Sequence, residues 1–383
     1  MNQQTNAKKH ILFLFSDTGG GHRSAAEALI EALDLEYGAQ ISTEMVDFFA
    51  DYTPWPFNTF TRTYPDMVKV PQAWGFGYLI SNGRRRVRML FNAIYPYARR
   101  GIVKLVEEHP ADAIVSVHPL VTDTALRVMG ESHPPYIQVV TDLVTTHAFW
   151  YHPKVDLTIV PTQPAYDRAM KNQLDPATVE HIGLPVADRF CRPTEGRATL
   201  RKQLGWPQDL PMILIVGGGD GMGPLEQTAR AIADAGLEAG LAVVTGRNAP
   251  LKTRLEAYKW TQPTFLYGFV RNMPTLMHAA DILVTKAGPG TVSEALNTGL
   301  PMALYNYLPG QEEGNVTYVV EQGAGVWTPK PDQIVAAIRT WLEDDAAYQR
   351  ALQACKTLAR PQAARQIAHR IAHHAGLAPP QGQ

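Results

Sequence analysis

The chain has 383 residues, 45% hydrophobic and 19% charged, with a net charge of −1. That length exceeds what one core usually holds and predicts two domains, while the balanced charge gives no global sign of nucleic-acid binding. Two cysteines, Cys191 and Cys355, are too few for a disulfide framework or a zinc site, so they read as packing residues in a reducing compartment. Lys8 and Lys9 precede an apolar run of only five residues, too short for the core of a signal peptide. No run approaches the roughly 18 apolar residues of a membrane-spanning helix, so any work on membranes is expected from the surface.

The apolar stretch from His10 to Phe15 predicts a strand, followed by the glycine loop Ser16-Asp-Thr-Gly-Gly-Gly-His-Arg23 and a helix from Ser24 to about Tyr37. Strand, glycine loop and helix start form a mononucleotide-fold opening. The loop is not a dinucleotide fingerprint, because the third position falls on Ser24, and Gly217-Gly-Gly-Asp-Gly-Met-Gly223 fails the same test. A nicotinamide enzyme is therefore disfavoured. His22 has two readings, a packed histidine or a neutral base whose basicity the helix N-terminus lowers. Asp17 either orients that imidazole or merely ends the strand.

From Tyr52 to Lys104 the α/β rhythm lapses. Trp55, Phe57, Phe60, Tyr64, Trp74, Phe76 and Tyr78 alternate with Pro54, Pro56, Pro65 and Pro71, a pattern that argues against a long regular element. Between Met67 and Val106 stand eight basic residues, Lys69, Arg84, Arg85, Arg86, Arg88, Arg99, Arg100 and Lys104, and no acidic one. Val87, Leu90, Phe91 and Ile94 follow helical spacing with arginines on the other faces, which suits a lipid interface; a solvated helix or a single-stranded nucleic-acid patch is the competing reading.

A helix is predicted to end near Glu108, after which strands resume at Asp112–Val117, Tyr136–Thr141 and Asp156–Pro161. Strand ends face the cleft in an open parallel sheet, which gathers His118, Asp142, His147 and Trp150 where an acceptor arrives. For His118 and His152, burial with a backbone hydrogen bond is the simpler reading. His181–Val186 closes the first domain, and the charged stretch Arg192–Trp206 reads as a linker. The second domain opens with the strand Met212–Val216, the loop carrying Gly217, Gly218 and Gly219, and a helix from about Pro224. Ala242–Asn248 ends in Arg247, a phosphate ligand or a plain surface arginine, and Phe265–Val270 adds another strand.

The stretch Thr285–Asn315, TKAGPGTVSEALNTGLPMALYNYLPGQEEGN, organises the rest. A strand from Asp281 to Thr285 runs through Lys286 and Ala287 into Gly288-Pro289-Gly290, and Thr291 opens a helix; glycines and unpaired helix N–H groups cradle a phosphate. Thr291 and Glu294 also fit a capping box, which would make Glu294 a helix-end residue. Gln311, Glu312 and Asn315 supply the mixed donors and acceptors that a polyol needs. Ala324–Thr328 and two helices follow, and the tail from Ala375 is expected to lack order.

TKAGPGTVSEAL, GLPM and PGQEEGN resemble the donor-site signature of the monogalactosyldiacylglycerol (MGDG) synthases, inverting glycosyltransferases grouped with the peptidoglycan GlcNAc-transferase and the processive diacylglycerol glucosyltransferases. SDTGGGHRSAAEA is similar to that family's N-terminal motif, and PWPFN to its acceptor side; TDLVTTHAF departs from the usual TDLNTCHPT. The resemblance runs from residue 10 to about 340 and implies an α/β chain of GT-B type, two Rossmann-like domains facing each other across a cleft. Residues 1–192 would form the acceptor and membrane domain, 207–355 the UDP-sugar domain, and 356–383 a terminal helix and tail.

The resemblance also implies an enzyme that transfers a hexose, preferably galactose, from a UDP-hexose to diacylglycerol. Glucose, GlcNAc and a soluble UDP-sugar-binding or epimerase protein remain alternatives. His22 would be the general base, with Asp17 beside it. Gly20, Gly21, Gly217, Gly218, Gly219, Arg247, Phe269, Val270 and Lys286 through Thr291 would lie on the donor, Glu294 on the ribose, and Gln311, Glu312 and Asn315 on the hexose. Trp55, Pro56, Arg84, Arg85, Arg86, Arg88 and Trp150 would meet the acceptor and anionic membrane lipids. No metal or other cofactor and no nucleic-acid partner is expected. The expected location is the cytoplasmic face of a membrane, as a peripheral, monotopic protein.

Overall fold

The computed structural model describes residues 8–18, 20–59, 63, 71–219, 221 and 223–379. Gly19, Phe60, Tyr64, Pro65, Met67, Lys69, Asp220, Met222 and Pro380, all used in the sequence reading, lie outside the described residues. The chain divides into two units, one of residues 1–188, 309–311 and 362–383, the other of 189–308 and 312–361.

The first unit is built on the parallel sheet β2-β1-β3-β4-β5-β6, from β1 (Lys9–Phe15), β2 (Ile41–Asp47), β3 (Ala113–Ser116), β4 (Tyr136–Val139), β5 (Leu157–Val160) and β6 (Val179–His181). Ile11, Phe13, Val115, Ile137 and Ile159 pack under helix Gly21–Tyr37 on one face. Parallel strands covered on both faces read as continuous apolar runs, which is why β1, β3 and β5 are legible in the sequence. β2 is not: as an edge strand, ISTEMVD is buried only at Ile41 and Val46. Chain order reverses at β1, which pairs with β2 on one side and β3 on the other. The second sheet, β12-β11-β10-β7-β8-β9, repeats this plan from β7 (Met212–Val216), β8 (Gly240–Val244), β9 (Thr264–Tyr267), β10 (Ile282–Lys286), β11 (Met302–Asn306) and β12 (Gly325–Trp327). Its reversal falls between β7 and β10. Ligands of open parallel sheets bind outside the carboxyl ends of the strands at such switch points.

Three expectations change. Arg192–Trp206 is no linker: helix Arg197–Leu204 belongs to the second unit, where Arg201, 7% exposed, pairs with Asp281 and donates to Ala279 O at 2.9 Å. A buried guanidinium persists only when its donors are satisfied, and these are. Three helices, not two, follow β12, and the last, Ala363–His374, returns to the first unit. There Arg365 bonds Glu36 (2.7 Å) and Asp188 (3.1 Å), and Ile367, Ile371, Ala375 and Leu377 join the core, so the chain is packed through Leu377, past the expected start of the tail at Ala375. Among the described residues the proline-rich region holds helix Pro71–Ser81 and leads into a helix of 25 residues, Arg84–Glu108, with Pro96 inside it. Gly101 lets that helix meet Tyr52, because a Cβ there would lie 1.6 Å from the Tyr52 carbonyl oxygen.

Candidate active site

In the first unit the loops after β1, β3 and β4 converge at the switch point. His22 sits in the first turn of helix Gly21–Tyr37, whose N-cap Gly20 has φ +79°, the left-handed region that favours glycine. His22 Nδ1 lies 2.8 Å from the Val117 carbonyl oxygen and 2.9 Å from Thr141 Oγ1. A carbonyl only accepts, so Nδ1 carries the proton and Nε2 is left as the basic nitrogen. The ring meets the His118 edge at 4.7 Å and lies 6.1 Å from Trp150. Burial lowers the His22 pKa to about 4, against the opposing pull of the Val117 carbonyl. Burial, and secondarily the neighbouring His22, hold the His118 pKa well below the ordinary imidazole range, and its Nδ1 accepts from the Leu120 N–H.

Asp17 does not orient this ring. Its carboxylate takes Arg23 Nε and Nη2 at 2.9 and 2.7 Å, leaving the Val117 carbonyl as the group that fixes the tautomer. Trp150 is likewise corrected: it is 1% exposed, and its indole donates to Asp142 Oδ2 at 2.7 Å, so it packs behind the site and meets no membrane. Gln311, counted with the first unit, donates through Nε2 to Asp142 Oδ1 at 2.8 Å, and its Oε1 is buried without a partner.

In the second unit the loops after β7, β8 and β10 meet at the other switch point. Gly288, not Thr291, caps helix Pro289–Thr298 and makes no side-chain cap bond. The capping box is therefore absent, and Glu294 stands one turn inside the helix, where burial pushes its carboxyl up to about 7 against the pull of Arg189. Pro289 has no N–H to orphan, and the Gly290 and Thr291 N–H groups have no intrahelical acceptor. Space beside Gly290 is open. The Arg247 N–H bonds Gly219 O at 2.8 Å, and its guanidinium lies over the exposed ring of Phe269, 5.5 Å from the centroid. Val270 follows in the same half-buried strand-end loop.

Two expected sugar ligands have other work. Glu312, 5% exposed, accepts Lys286 Nζ at 2.8 Å and the Leu308 N–H at 2.9 Å. Asn315, 1% exposed, donates to Ala287 O at 2.8 Å and so braces the loop before Gly288.

The family model of the monogalactosyldiacylglycerol (MGDG) synthases matches residues 22–186, and that of the glycosyltransferase family 28 C-terminal domain matches residues 212–369. Monogalactosyldiacylglycerol synthase 1 of Arabidopsis thaliana, a chloroplast protein, is 37% identical over 382 residues, covering 96% of this chain and 71% of its own. The chain belongs to the MGDG synthase family. It is a glycosyltransferase of GT-B fold. Among solved structures, UDP-GlcNAc 2-epimerase from Neisseria meningitidis has a TM-score of 0.62 at 14% identity, covering 95% of this chain and 100% of its own. MurG of Acinetobacter baumannii has a TM-score of 0.59 at 16% identity, covering 95% and 99%. Such distant likeness shows the fold alone.

On this MGDG synthase family member, helices Pro71–Ser81 and Arg84–Glu108 present an unusual surface. Phe76 (67% exposed), Leu79 (61%), Ile80 (51%) and Met89 (64%) stand beside the exposed Arg84, Arg85, Arg86 and Arg88. Trp55 is 78% exposed and precedes Pro56 in a cis peptide. The junction of the two helices is pinned at Asn82, whose Oδ1 accepts from the Ala148 N–H (3.1 Å) and Arg168 Nη2 (2.8 Å). No helix among the described residues is long and apolar enough to cross a membrane. Sequence reading missed Val117 and Thr141 as partners of His22, since strands 95 and 119 residues apart along the chain bring them together.

Proposed function

We propose that the protein transfers galactose from UDP-galactose to the free hydroxyl of diacylglycerol with inversion, as a peripheral enzyme on the cytoplasmic leaflet of a membrane. The observation that carries this reading is the neutral imidazole of His22, fixed by a backbone carbonyl at a sheet switch point with Nε2 as its basic nitrogen. The acceptor oxygen attacks the anomeric carbon and its proton passes to Nε2. The bond from that carbon to the phosphate oxygen breaks, and its electron pair leaves with UDP. A glycerol hydroxyl is a weak nucleophile, so a positioned base contributes about 10²–10⁴-fold.

On the donor side, Gly217, Gly218 and Gly219, the N–H groups at Gly290 and Thr291, and Arg247 suit a diphosphate; their positive potential is the support for transfer without a metal. The backbone from Gly268 to Val270 would take the uracil. Glu294, near half-protonation at neutral pH, both donates and accepts toward a ribose diol. Gln311 keeps an unpartnered Oε1 for the hexose. Galactose rather than glucose or GlcNAc rests on the family. The acceptor enters by the Trp55 and Pro56 side, and the arginines and exposed apolar residues of Pro71–Ser81 and Arg84–Glu108 meet anionic lipid.

Supplying diacylglycerol vesicles with UDP-galactose, UDP-glucose and UDP-GlcNAc in parallel is expected to yield a monogalactosyl lipid as the main product. A converted sugar nucleotide with no lipid product would overturn the reading in favour of an epimerase.

A further inference from the structure

Lys286 ends β10, and its side chain runs between the two glycine loops of the second unit. Its Cε lies 3.5 Å from where a Cβ on Gly218 would stand, and its Nζ 3.2 Å from one on Gly288. Gly218 follows β7 and Gly288 follows β10, the strands that flank the switch point. Nζ is fixed by Glu312 at 2.8 Å, and the second Glu312 oxygen is fixed in turn by the Leu308 N–H. The lysine side chain keeps 22% of its surface, whereas Glu312 keeps 7%, so the cation is the partner that reaches outward.

A buried ion pair is a weak stabiliser, because desolvation offsets the attraction, so stability alone explains little here. An independent polar valence is unfilled nearby: Asn315 Oδ1 is buried without a partner while its Nδ2 braces Ala287 O. An ammonium has three donors, of which Glu312 uses one. The remaining two lie at the level where neither glycine loop carries a side chain.

We propose that Lys286 is the cation that takes up the charge of the leaving diphosphate, with Glu312 the positioning residue that holds it between the two glycine loops. This rests on the donor reading above. As the bond from the anomeric carbon to the β-phosphate oxygen breaks, the electron pair stays on that oxygen and UDP gains one negative charge over its sugar ester. An ammonium at that oxygen binds UDP more strongly than the donor, and the part of that difference already developed as the bond breaks stabilises the transition state.

Titration of uridine and UDP into the full chain tests this with wild type, Lys286→Met and the double variant Lys286→Met/Glu312→Gln. The double variant leaves no orphaned buried charge, and its melting transition verifies that it is folded. UDP affinity is expected to fall about 10–100-fold in both variants, the scale of a lost charge-assisted hydrogen bond, with uridine affinity at the wild-type level. A folded double variant that keeps wild-type UDP affinity overturns the assignment. So does one that loses uridine and UDP together, which would make the pair a brace for the loops. Wild-type protein that binds neither ligand removes the donor reading itself, and the inference with it.

Discussion

Replacement of His22 by alanine is expected to lower kcat by roughly 10²–10⁴-fold, the span of a positioned general base, while UDP binds as before. The separation of effects follows from where the residue sits. His22 is fixed by Val117 and Thr141 of its own unit, whereas the candidate diphosphate loops belong to the other. Equal loss of transfer and UDP binding would make His22 a donor ligand or a structural residue. The pH profile gives a second check. A histidine is an effective base only when neutral, and burial lowers this one to about 4, so the neutral form persists well below the ordinary range near 6.5. The acid limb of kcat/KM due to His22 should therefore lie near pH 4. A limb near 6.5 would mean that the catalytic imidazole is solvated and not in the pocket described.

Conversion of Arg84, Arg85, Arg86 and Arg88 to glutamine should release the protein from anionic vesicles. Each basic residue at such a surface contributes about 1 kcal/mol, so four together are expected to lower the partition coefficient by roughly three orders of magnitude. The four stand exposed on a helix with no acidic neighbour between Met67 and Val106, so no carboxylate of that segment offsets them. Phe76, Leu79, Ile80 and Met89 add an apolar contribution that does not depend on lipid charge. The quadruple variant should therefore float far less with anionic vesicles, show a weaker salt dependence, and keep residual binding to neutral ones. Unchanged flotation would exclude this face as the membrane contact.

Much of this was legible in the sequence because the relevant signals are local. Buried parallel strands such as Met212–Val216 print continuous apolar runs, and glycines print the loops after them. The motif around His22 and that from Thr285 to Asn315 carried the family. What the sequence left unread is set by contacts across strands. Nothing in the order of residues says that the Val117 carbonyl, not Asp17, meets His22. Nor does it say that Glu312 turns inward to Lys286, 26 residues away. Trp150 illustrates the same limit: an aromatic beside a cleft loop reads as a contact for lipid, yet its indole N–H satisfies the buried Asp142. The prolines Pro54, Pro56, Pro65 and Pro71 argue against a long element, yet a helix of 25 residues follows them, held by the contacts of Val87, Phe91, Ile102 and Leu105 despite Pro96 inside it.

A single displacement promoted by one neutral imidazole inverts the anomeric carbon, and the configuration of the lipid product reports that step directly. Proton NMR of the glycolipid made from UDP-galactose, whose sugar is α-linked, should show a β-linked galactose. An α-linked product would require two displacements or a front-face mechanism, and would contradict the role given to His22.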